Sequence, residues 1–196
     1  MSLTIIKEGN PILRVKSKNV KLPLIDEDIN TINLMMTHLM KSQIPEIAES
    51  EDLQPGVGIA APQIGVSKNI FCMFATDFDD KLHKYAFINP IIVKKSKELV
   101  YLPDGEGCLS VSREVEGVVL RHEEISVKTY LYDFEKKKVF RKLLKLTGII
   151  STIFQHEYDH LDGILFVDRL IDINELPNLA SSLIVEIDES EEKTSE

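Results

Sequence analysis

The run Gln155-His156-Glu157-Tyr158-Asp159-His160 carries two histidines and a glutamate at the spacing of a metal centre with a base beside it. At about 100° per residue, imidazoles four positions apart on a helix stand one turn above one another and can share an ion. A glutamate between them leans over the open side of that ion. Ile149 and Ile153 fall on the same third of the circumference, so this face is expected to point inward. Three ionisable groups on a buried face need partners that a purely structural helix has no reason to supply.

A third ligand must come from elsewhere. In the metzincin pattern H-x-x-G-x-x-H the final position falls here on Phe166, so that reading fails at its essential ligand. Glu175 and Glu186 are downstream carboxylates of the kind other zinc peptidases use, the first in an expected loop and the second in an acidic tail. His83 and His122 lie among charged residues and are expected to face solvent. Cys108 remains, in the glycine-flanked turn Gly105-Glu106-Gly107-Cys108-Leu109-Ser110. A thiolate with two imidazoles leaves one tetrahedral position for water, the arrangement of a catalytic site. Cys72, inside Ile70-Phe71-Cys72-Met73-Phe74, reads instead as a small buried strand residue.

Residues this far apart need a framework to bring them together. Asp26 is the expected cap of an N-terminal helix reaching Gln43, with Ile29, Ile32, Met36 and Leu39 on its core face and Pro45 ending it. Residues 47–55 are polar and read as a loop. Strand texture follows at 69–75, 85–89, 91–93, 117–120 and 125–131, and a hairpin over 135–138 leads to 139–146. The ligand-bearing helix starts near Thr147 and stops at Gly163. Residues 164–173 are a further apolar segment, and 176–187 fit a last strand or a helix equally. The class expected is α+β, mainly antiparallel sheets around a central metal-binding helix, with an N-terminal helix.

The chain of 196 residues suits one domain, 1–185, followed by an acidic, disordered tail at 186–196. That tail holds six acids against Lys193, a net −5 of the total −9. Neither part resembles a phosphate-binding surface, so no direct nucleic-acid or membrane binding is expected. Two cysteines are too few for a disulfide scaffold and fit a reducing compartment. The first residues lack a secretory or transit signal, and a cytoplasmic protein is expected.

Three separated motifs together resemble the peptide deformylase family: G-x-G-x-A-A-x-Q from Gly56 to Gln63, E-G-C-L-S from Glu106 to Ser110, and Q-H-E-x-D-H from Gln155 to His160. Pro11-Ile12-Leu13-Arg14 and Phe87-Ile88-Asn89-Pro90 are similar to it as well. The P-Q-I-G ending and the long segment before the first motif resemble the subgroup with insertions found in Gram-positive bacteria and mycoplasmas. The resemblance implies hydrolysis of the N-formyl group of formyl-methionine at the start of new polypeptides, with possible docking beside the ribosomal exit. It implies one divalent ion held by Cys108, His156 and His160, usually Fe2+, with Zn2+, Ni2+ or Co2+ able to substitute. Glu157 would be the general base, and Gln63 with the Leu109 amide would face the formyl oxygen. Gly58 and its neighbours, with Gly107, would hold the peptide, and Val57, Ile149 and Ile153 would line the methionine pocket. Glu106 is expected to orient the Cys108 turn through Arg113 or Arg121. Another H-E-x-x-H metallohydrolase, such as a peptidase, or a non-catalytic homologue are the alternatives.

Overall fold

The computed structural model describes residues 3–177 and 180–183. Helices α1 (Asp26–Ser42) and α2 (Pro45–Glu51) precede strands β1 (Gly58–Ala60), β2 (Ile70–Thr76), β3 (Leu82–Lys95), β4 (Leu99–Tyr101) and β5 (Arg121–His122). Strands β6 (Glu124–Asp133) and β7 (Lys138–Thr147) form a hairpin that runs into helix α3 (Gly148–Leu161), and β8 (Ala180–Ser182) follows. An antiparallel five-stranded sheet has the order β1-β2-β3-β6-β7, and a small sheet has the order β5-β4-β8 with β8 parallel to β4. The α+β reading with a mainly antiparallel sheet and an N-terminal helix holds.

The β2–β3 part of the large sheet is covered on both faces, and the alternation along its strands shows how. Ile70 and Cys72 of β2, with Ala86 and Ile88 of β3, pack on Ile32, Met35, Met36 and Leu39 of α1. Phe71, Met73 and Phe87 point the other way, onto Ile150, Ile153 and Phe154 of α3. The Phe71 and Phe87 rings stack at 4.7 Å, and Phe154 meets them edge-on at 5.1 and 5.0 Å. Full burial of such a ring contributes roughly 1.5–3 kcal/mol, so this cluster fixes α3 against the sheet. Cys72 is fully buried on the opposite face, its thiol raised out of the ionisable range by burial and next by the charge of Glu157.

Several local expectations are corrected. The cap of α1 is Ile25, whose N–H donates to the Asp28 carboxylate at 3.2 Å, and Asp26 is the first helical residue. Pro45 ends α1 but opens α2, because a proline needs no N–H partner at a first turn; residues 45–51 are therefore helix where a loop was expected from 47. The pieces around Pro90 are one strand: β3 shifts register between Ile88 and Ile91, and Asn89 takes φ 48°. Residues 117–120 form no strand, only a bridge from Val118 to Ile171. Within 164–173, Phe166–Arg169 is a 3-10 turn whose Phe166 joins Leu13, Cys108 and Leu165 in a third core cluster. In 176–187, Ala180–Ser182 is strand; residues 184–187 and the acidic tail lie outside the described residues.

A candidate metal centre and its cleft

Helix α3 begins after the extended Thr147 and ends at Asp162, with Gly163 at φ 75° supplying the left-handed turn. A Cβ at Gly163 would stand 2.7 Å from the Arg14 backbone, so the N-terminal segment can close over the helix end only where no side chain intrudes. The helix is buried nearly all round and not on one face alone, as the periodicity of its apolar residues implies: Ser151, Thr152, Gln155 and Asp159 are buried together with His156, Glu157 and His160. Gln155 shows how its polar groups are satisfied, accepting from the His122 N–H at 3.0 Å and donating to the His122 carbonyl at 2.8 Å. Through it α3 is tied to β5.

His156 and His160 present their rings one turn apart, with centroids 5.1 Å from each other. The Glu106–Ser110 loop brings Cys108 to them. Its tight turn is closed by Val111 N–H on the Cys108 carbonyl at 3.1 Å, and Sγ lies 3.4 Å from His160 Nε2. One ligand atom from each of Cys108, His156 and His160 can be chosen so that all lie within 4.8 Å of one another. A tetrahedral ion with ordinary metal–sulfur and metal–nitrogen bonds sets such atoms about 3.5 Å apart, so the donor set fits a divalent cation.

The charges around the three donors are tied into one buried network. His156 Nδ1 is 2.7 Å from Glu106 Oε2, and Glu106 receives Arg121 Nε and Nη2 at 2.7 and 2.8 Å. Burial would lower His156, but its hydrogen bonds with Cys108 and Glu106 outweigh that and raise it to about 10. Burial would likewise raise Glu106, yet Arg121 and then His156 hold it at about 2. His160 is kept well below the usual histidine range, first by burial. Glu157 is raised to about 7, again by burial first, and its Oε2 is buried with no hydrogen-bond partner among the described residues. A carboxylate titrating near neutrality beside three donors can take and return a proton.

Gln63, Leu109, Val57, Gly58, Gly107, Ile149, Ile153, Glu157, Cys108 and His156 all line one cleft of about 400 Å³; His160 stands behind it, 1% exposed. Gln63 Oε1 accepts from the Ala60 N–H at 2.8 Å, which turns Nε2 toward Ser110 Oγ at 3.2 Å and Cys108 Sγ at 3.6 Å. Gly58 is indispensable in this packing: a Cβ there would lie 2.4 Å from Glu157 Oε1 and 2.7 Å from its Cγ. Because that Cβ would meet Cγ and Cδ as well as Oε1, Glu157 must be displaced toward the cleft it lines, and Gly58→Ala is expected to lower kcat by about 10²-fold with the fold retained. Steady-state kinetics beside a circular-dichroism melt will check this.

Of the two arginines considered for Glu106, Arg121 is its partner, while Arg113 pairs with Glu8. His83 is buried, contrary to expectation, and lies 2.6 Å from Asp77 at the β2–β3 turn. His122 is half-buried, its Nδ1 2.8 Å from the Ser96 carbonyl. Glu175 closes an exposed 3-10 turn, and Glu186 lies outside the described residues. Sequence reasoning missed Asp159, which receives Arg121 Nη1 at 2.5 Å and Arg169 at 2.6 and 2.8 Å. An acid on a helix otherwise buried was the available signal. It also missed that Phe166 stacks on His156, with ring centroids 5.9 Å apart. Arg121 is 3% exposed, and its loss would remove the cation that Glu106 and Asp159 share, leaving them only His156 and Arg169 as partners. Arg121→Leu is expected to destabilise the protein by about 3–5 kcal/mol, measured by urea denaturation; a loss below about 1 kcal/mol would mean the network is not needed for folding.

The sequence model of the family described as polypeptide deformylase matches residues 2–175. A peptide deformylase of Halalkalibacterium halodurans is 48% identical, over 85% of this chain and 88% of its own length. Among solved structures, the peptide deformylase of Thermotoga maritima aligns with TM-score 0.63 and 32% identity, covering 87% of this chain and 99% of that one. The Met-Ala-Ser-bound class I type b peptide deformylase of Acinetobacter baumannii aligns with TM-score 0.65 and 28% identity, over 87% and 100%.

Proposed function

This chain belongs to the polypeptide deformylase family, and from that premise we propose that it hydrolyses the N-formyl group of formyl-methionyl chains at the metal centre formed by Cys108, His156 and His160. The observation that carries the assignment of residues is the convergence of those three donors beside a buried, unpartnered Glu157 oxygen. Removal of the formyl group from newly made polypeptides is the family's activity, and the products are formate and a free amine.

A divalent ion bound by these residues would supply Lewis-acid chemistry, polarising the formyl carbonyl and acidifying water toward neutrality. By the resemblance to the family that ion would be Fe2+, with Zn2+, Ni2+ or Co2+ able to replace it; ligand type alone does not separate them. Glu157 takes a proton from the attacking water and returns it to the departing amine nitrogen, for which a pKa of about 7 is well matched. As the carbonyl carbon becomes tetrahedral, negative charge grows on the formyl oxygen, where Gln63 Nε2 and the Leu109 N–H donate.

Strand β1 is the edge of the large sheet, and Val57 and Gly58 line the cleft beside it. An extended peptide can add along that edge, with the side chain of its first residue entering between Val57, Ile149 and Ile153 and with Gly107 opposite. The Acinetobacter relative binds the tripeptide Met-Ala-Ser, a length that suits this mode. We place the work of the enzyme in the cytoplasm, on chains emerging from the ribosome. No helix among the described residues is long and apolar enough to cross a membrane.

The deciding experiment is release of formate from a formyl-Met peptide, run anaerobically on protein of measured metal content. Stoichiometric metal with turnover supports the reading. Tight binding of the peptide by metal-loaded protein without formate would reduce the chain to a non-catalytic homologue.

A further inference from the structure

The segment at residues 6–8 touches both loops that frame the cleft. Ile6 N–H donates to the Gln63 carbonyl at 2.7 Å, and Glu8 N–H donates to the Ser110 carbonyl at 2.8 Å. Lys7 is thereby fixed on both sides, and its Nζ donates to the Leu109 carbonyl at 2.7 Å. The neighbouring Glu8 carboxylate is engaged by Arg113 at 3.0 and 3.3 Å, so it does not draw the ammonium away.

The Leu109 carbonyl and the Ser110 N–H belong to one peptide unit. Its oxygen receives the Lys7 ammonium, and its N–H donates to Cys108 Sγ at 3.4 Å. A cation on the carbonyl side shifts electron density toward oxygen and leaves the N–H a stronger donor, because hydrogen bonds in series polarise one another.

We propose that Lys7 is a positioning residue for the metal centre: it holds and polarises the Leu109–Ser110 peptide, strengthens the N–H bond to the Cys108 sulfur, and withdraws electron density from that ligand. The inference rests on the assignment of Cys108 as a metal ligand. A sulfur that donates less leaves more of a bound cation's charge for the formyl oxygen, so Lys7 acts on turnover without touching substrate. The Leu109 N–H belongs to the preceding peptide unit, so anchoring the Leu109 carbonyl also steadies the backbone around that donor.

The test uses the full chain loaded with Co2+, whose thiolate-to-cobalt charge-transfer absorption reports directly on sulfur electron density. Lys7→Met keeps the length of the stem and removes the charge; Lys7→Arg returns a cation. In Lys7→Met the band is expected to move to longer wavelength and kcat to fall about tenfold with KM unchanged, the low end for residues placed behind metal ligands. Lys7→Arg is expected to recover both. A band that stays in place in Lys7→Met, an equal loss in Lys7→Arg, or unfolding of Lys7→Met would make Lys7 a structural residue and overturn the proposal. If the unsubstituted protein binds cobalt without any such band, the ligand assignment falls first, and the proposal with it.

Discussion

Glu157→Gln is expected to keep the fold and the metal and to lose about 10²–10⁴-fold in kcat, the usual worth of a positioned general base. The substitution is close to isosteric, so the packing of the side chain against Gly58 is retained. It removes a carboxylate that burial already holds at about 7, and a neutral amide at that place costs less desolvation than an ionised acid. Stability should therefore be equal or slightly greater, a sign opposite to that of a damaged core. Metal content, the melting curve and formate release measured on one preparation separate the three effects. Turnover within about tenfold of the unsubstituted enzyme would remove Glu157 from the mechanism.

The second large effect is expected from Cys108→Ala. In the proposed centre Cys108 is one of three donors, and even a partner behind a ligand typically contributes 10–100-fold to metal affinity or activity. Loss of a ligand itself should exceed that range: metal is expected to wash out on dialysis and formate release to vanish with it. The fold should survive, because Glu106, Arg121 and Asp159 remain paired. Cys72→Ala provides the matched control. Cys72 lies on the α1 face of the sheet, its Sγ 3.6 Å from the Ile32 carbonyl, and its removal leaves only a small cavity. A Cys108→Ala protein that held metal as firmly as Cys72→Ala would point to a carboxylate ligand such as Glu175, and to a different hydrolase.

Which parts were legible follows from the range of each interaction. The start of α3, its Gly163 stop, and the strands at 70–76 and 124–133 are written in local periodicity and turn chemistry, and the structure reproduces them within a residue or two. Failures came where a local signal had two outcomes. Pro45 stops one helix and starts another. Pro90 reads as a break, but the positive φ of Asn89 lets β3 continue past it, and the Asn89 side chain binds Val20 N–H and carbonyl, each at 2.8 Å. His83 looked exposed among charges because the pairing of β2 with β3 that sets it beside Asp77 cannot be read from neighbours alone.

The sequence by itself determined the family and named the three residues that could hold its metal. Two imidazoles on successive turns are a matter of helical pitch, and the cysteine loop and the glutamine loop carry short patterns that survive without coordinates. Only the tertiary structure decided how those groups are held. It chose Arg121 over Arg113, placed the Glu106 carboxylate on His156, set Gly58 against Glu157, and brought Lys7 to the Leu109 carbonyl across 102 residues. The physical reason is that periodicity and turn chemistry act over a few residues, whereas these contacts are closed by the packing of whole elements. Partner, distance and burial are therefore properties of the assembled core and not of any stretch of chain.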